Sequence, residues 1–129
     1  RLGFVAAIET IKQIKRKKTF KKIKETGKYI KLHWQKIAKK NNIEITISGI
    51  DSIPQFSFNL EHNKNKTFLT QEMLKKGYLA STIVYVSIAH TQKILKKYLS
   101  ELNRIFKKIA EKKNILDGEP AYTDFKRLN

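Results

Sequence analysis

The apolar pattern of this chain changes period in its middle, and that change restricts what it can fold into. From Phe4 to Ala38 apolar residues recur every three or four positions, the spacing of a helix face. Between Ile43 and Leu60 the period drops to two. Ile43, Ile45 and Ile47 alternate with Glu44, Thr46 and Ser48, and Phe56, Phe58 and Leu60 alternate with Ser57 and Asn59. From Ile94 to Ile109 the helical spacing returns. A purely helical bundle and a pure β-sandwich are both excluded by this order.

The spacing predicts a first helix over 3–17, with Phe4, Ala7, Ile8, Ile11 and Ile14 on one face. Thr19 is placed to cap a second helix running to about Lys40. Its face carries Phe20, Ile23, Tyr29, Ile30, Trp34, Ile37 and Ala38. Gly27 interrupts that helix at a cost of about 1 kcal/mol relative to Ala, so a close neighbour is expected there. Asn41-Asn42 is the expected stop. Residues 61–66 read as a polar loop. Thr67 or Thr70 then opens a short helix ending before Gly77. Residues 78–80 and 83–87 are extended in character, and Thr91 caps a long helix to about Lys112. The tail from Asp117, with Gly118 and Pro120, reads as irregular. The sum is an α+β domain: a small, mostly antiparallel sheet of three to four strands covered on one face by helices. The length of 129 residues fits one domain with its own core.

A net charge of +17 brings nucleic acid to mind. Thirteen Lys or Arg fall between Lys12 and Lys40, against Glu25 alone. Yet all but four of the 28 basic residues are lysine, whereas base reading and bidentate phosphate contacts favour arginine. The interleaved Phe20, Tyr29 and Trp34 fall on the apolar face, where a core would use them. A basic nucleic-acid-binding module therefore stands as the alternative reading. An amphipathic membrane surface is a third, weakened if the apolar stripes are used up by a core.

Catalytic and metal motifs are missing. His33, His62 and His90 are far apart and there is no cysteine, so no helical zinc spacing arises. No nucleophile elbow, phosphate-binding loop or dinucleotide fingerprint occurs. No apolar run reaches the ~20 residues of a membrane span. The lack of cysteine is compatible with a reducing cytoplasm.

Several segments in order carry a family resemblance: Ser48-Gly49 with Phe56-Ser57-Phe58, then Gln71–Ser81, then Tyr85–Thr91, then Phe125 to Asn129 at the end. Together they resemble the C-terminal small domain of class III pyridoxal-phosphate (PLP) aminotransferases, in the glutamate-1-semialdehyde aminotransferase-like branch. The resemblance implies the small-domain fold of fold-type-I PLP enzymes. It implies a single C-terminal domain over 1–129, cut from a longer cytoplasmic, homodimeric enzyme. The PLP-binding large domain and its lysine would lie upstream of Arg1. It also implies that this domain closes over the active site, with Ser81, Thr82 and Tyr85 toward a small amino or keto substrate. No catalytic residue and no cofactor is expected within the chain itself. Mutases of that branch carry a longer stretch, with a glutamate, between the equivalents of Gly77 and Ser87. This chain is short and lacks an acidic residue there, which sets an aminotransferase for another substrate beside the mutase.

Overall fold

A computed structural model describes residues 2–16 and 18–121. The elements run α1 (Leu2–Arg16), α2 (Thr19–Lys40), β1 (Ile45–Ser48), β2 (Gln55–Phe58), α3 (His62–Leu74) and α4 (Gln92–Ala110). β1 and β2 are antiparallel, with Ile45 opposite Phe58 and Ile47 opposite Phe56. Period two thus sets these four side chains on one face, and the helices cover that face. Trp34 of α2 meets Phe56 edge-on with ring centres 4.8 Å apart, and Phe106 of α4 meets Phe58 at 5.4 Å. Leu69 and Met73 from α3, and Leu99 and Leu102 from α4, complete the same buried cluster.

The sheet has two strands, not the three to four expected. Residues 82–86 do run antiparallel beside the start of β2. Phe56 N–H donates to the Thr82 carbonyl (2.9 Å), Val84 N–H to that of Pro54 (3.0 Å) and Val86 N–H to that of Ser52 (3.0 Å). Only the Gln55–Ile83 pair forms a bridge. Pro54 explains the shortfall: it lacks the N–H that would return the bond to Val84, so the ladder is one-sided. Residues 78–80 join no strand.

Three further expectations are corrected. α3 begins at His62, so the supposed polar loop is its first turn and a half. Asn65 makes this possible. Its amide donates to the Leu60 carbonyl (3.0 Å), and its oxygen accepts from Asn114 (2.8 Å), so a polar residue is buried with its partners made. Thr19 starts α2 without a side-chain cap, because Lys18 before it is left-handed. The largest correction is α1, which buries no residue: Phe4 is 80% exposed, and Leu2, Val5, Ile8 and Ile11 also face outward. Phe20 stands out with them at 76%, although its pattern placed it in a core.

Other readings hold. An added Cβ at Gly27 would land on the carbonyl oxygen of Asp51, so the loop after β1 packs directly on the α2 backbone. α2 stops at Lys40, with Asn42 in the left-handed region at φ 54. Gly77 (φ 79) closes α3 as Tyr78 N–H donates to the Met73 carbonyl at 2.9 Å. On α4, Leu95, Leu99, Leu102 and Phe106 are buried, while Ile109 is half-buried at the last turn. Beyond α4 the irregular segment is tied to α3 through Asp117 N–H to Gln71 Oε1 and Ala121 N–H to Thr67 Oγ1, each 2.9 Å. The final segment, Phe125 to Asn129, lies outside the described residues.

Candidate functional site

The stretch from Tyr78 to Thr91 is a strap fixed at both ends. At the first, Gly77 turns it out of α3. At the second, Ser87 N–H donates to His90 Nδ1 (3.0 Å) and Thr91 Oγ1 accepts from Ile94 N–H (3.4 Å), which starts α4. His90 therefore supports the turn. Between strap and helices lies an open cavity of about 300 Å³. Its walls are Ile30 of α2, residues 78–80 and 83–85 of the strap, His90, and Ile94, Leu95 and Tyr98 of α4.

The wall is mostly apolar, with phenol and imidazole groups set into it. The Tyr98 hydroxyl accepts the indole N–H of Trp34 at 3.0 Å. Burial pushes the Tyr98 hydroxyl well above the ordinary tyrosine range, so it stays protonated. Tyr78 lies 6.3 Å from the Tyr98 ring, centre to centre. Among the described residues no Lys, Arg, Asp or Glu lines this cavity.

The three hydroxyl residues singled out in the sequence are not gathered into one cluster. Tyr85 is largely exposed on the cavity wall. Ser81 is half-buried at the edge of β2, and Thr82 is buried, with its carbonyl in the sheet-like bond to Phe56. Alternation along an extended backbone separates Thr82 from its neighbours on the two sides. The sequence reading missed Tyr78 and Tyr98 as wall residues. Tyr98 falls on the apolar stripe of α4, and its only signal was being the one phenol on that stripe.

The histidines stay apart. His33 Nδ1 lies 2.8 Å from the Tyr29 carbonyl, and His62 Nδ1 accepts Phe58 N–H at 3.2 Å. Among the described residues no group of three or more His, Asp or Glu is placed to hold a metal ion. A second surface feature is the corner where α1 meets α2. Lys12, Lys15, Arg16, Lys18, Lys21, Lys22, Lys24 and Lys28 are all exposed there, and Lys21 stands 3.9 Å from Glu25.

No family model and no curated protein matches the sequence. Among solved structures, the PLP internal aldimine form of the FumI protein of Sphingopyxis sp. MTA144 superposes with a TM-score of 0.74. The two share the fold. The match covers 87% of this chain at 20% identity, so four helices around a small antiparallel sheet are shown as a known arrangement. It covers 28% of the FumI chain, so this chain spans little more than a quarter of that protein's length.

An internal aldimine needs a lysine amine beside the cofactor. Among the described residues, the cavity wall offers neither a lysine nor a carboxylate, and no lysine is buried. Lys31, one of the half-buried ones, is committed to the Gly49 carbonyl (2.7 Å) and Asp51 (3.2 Å). Among the described residues, none on this cavity wall could form the aldimine bond. No helix among them is long and apolar enough to cross a membrane.

Proposed function

We propose that this chain is the small, C-terminal domain of a PLP-dependent aminotransferase of class III, in the glutamate-1-semialdehyde aminotransferase-like branch. The observation that carries the reading is the likeness to FumI over most of this chain and about a quarter of that one. A match over 87% of this chain but 28% of that one supports reading the chain as a domain of a larger enzyme. In this reading the large domain holds PLP through its own lysine, and the cofactor supplies the electron sink for amino transfer. This domain closes over the site and helps enclose a small amino or keto substrate. Ser81 and Tyr85 offer hydroxyls to it, while Thr82, buried, holds the strap in place. The outward stripe of α1 is covered by the large domain, and the parent is a cytoplasmic homodimer.

Assay of the complete protein tests this. Amino transfer between an amine and a 2-keto acid should follow ping-pong kinetics. A complete protein that turns over no amine or keto acid would refute the reading.

The second reading, a basic nucleic-acid-binding α+β module, is favoured by the exposed corner of eight cations. Charge alone predicts weak binding that falls steeply with salt and is lost near 0.15 M. Tight, salt-resistant binding to duplex or single strands would replace the enzyme-domain reading with this one.

A further inference from the structure

We propose that the cavity between α4 and the strap binds the uncharged tail of a small organic molecule. The tail is apolar along its length and ends in a hydrogen-bond acceptor such as a ketone, ether or hydroxyl oxygen. Within the enzyme reading above, on which this part rests, it is the end of the amino or keto substrate remote from the reacting carbon.

The wall chemistry selects the ligand. Ile30, Ile83, Ile94 and Leu95 give an apolar surface, and about 300 Å³ is at the small end of ligand pockets. Among the described residues no Lys or Arg lines this wall, so none of them compensates a charged group there. Tyr98 supplies the specificity. It is 6% exposed and its oxygen already accepts from Trp34. The only hydrogen bond its hydroxyl makes among the described residues is the one it accepts from Trp34, which leaves the O–H proton to be donated, and the residue helps to line the cavity. His90 adds a second donor. Its Nδ1 takes the Ser87 N–H, which leaves the proton of the neutral ring on Nε2. Leu79, 96% exposed, and Tyr85 stand on the same wall toward solvent. An apolar pocket with uncommitted donors and no charge fits a neutral, oxygen-tipped tail better than an amine or a carboxylate.

Cyclohexanone is a suitable probe, with cyclohexylammonium as the charged counterpart that lacks an acceptor. Titration of the chain should move the amide NMR signals of residues 78–85 and the first two turns of α4 saturably with cyclohexanone. The same signals should stay still with cyclohexylammonium. Tyr98→Phe, which keeps the ring, should weaken cyclohexanone about tenfold, one hydrogen bond's worth. Ala80→Leu, which fills the cavity without touching Tyr98, should abolish binding. Absence of saturable shifts, equal response to both probes, or unchanged affinity in Tyr98→Phe and Ala80→Leu would overturn the proposal. Binding needs neither PLP nor turnover. If cyclohexanone binds and the complete protein fails to transaminate, the enzyme reading falls and the cavity stands. If transamination occurs and the chain binds no probe, the cavity proposal falls alone.

Discussion

At Gly27 the backbone of α2 touches the carbonyl of Asp51, and a side chain has nowhere to go. Helix propensity taken alone favours Ala there by about 1 kcal/mol. Overpacking against backbone typically costs about 1–3 kcal/mol, and neither α2 nor the short loop can move easily. Gly27→Ala should therefore destabilise the chain in urea unfolding, and a stabilised variant would show the loop does not pack as described. The glycine was legible because Gly inside an amphipathic helix needs a reason. Phe20 was not legible, since a pattern marks an apolar face without saying what covers it. Glu72 gives a second residue-level test. Its hydrogen bond to Lys108, opposed by burial and helped by Lys75, holds its carboxyl below the ordinary 4.5. A depressed folded-state value contributes stability above the unfolded value and loses it as pH falls through the folded one. Stability should therefore drop on acidification below about pH 4.5, and Glu72→Gln should flatten part of that drop. Identical acid profiles for the two proteins would remove this link between α3 and α4.

Elements differ in how far a sequence can place them. α4 was legible in full: Thr91 caps it, and its stripe is long enough to belong only to a core. Leu102, fully buried, should cost ~2–5 kcal/mol when cut to Ala, whereas exposed Lys97→Ala should be close to neutral. Ile8→Ala on α1 is the sharper contrast. It removes an apolar side chain from an equally periodic stripe, yet should shift the stability of this chain by no more than about 0.5 kcal/mol, because Ile8 is exposed. Thermal melts of the three variants side by side check this, and a large loss at Ile8 would mean α1 packs on the domain. α3 was half legible. Its first turn is Asn- and Lys-rich, and only the long-range pair Asn65–Asn114 makes it worth burying. The third strand failed for a local reason visible in hindsight, a proline opposite Val84.

At the scale of the molecule, charge was the loudest signal in the sequence and the least informative about the site. Eight exposed cations stand at the α1–α2 corner, while among the described residues none lines the cavity across the strap. Of the three hydroxyl residues named from the sequence, Tyr85 is on the cavity wall and Ser81 and Thr82 are not. The cavity itself was not legible, because it is made by Ile30, Tyr78 and Tyr98 meeting from three distant segments. The central claim is that this chain is one domain of an enzyme whose cofactor lysine lies in another. Borohydride reduction of the complete protein, followed by peptide mapping of the pyridoxyl-lysine, tests that claim most directly. The account predicts one stable adduct on a peptide outside residues 1–129. An adduct on a lysine of this chain, or no adduct at all, would contradict it.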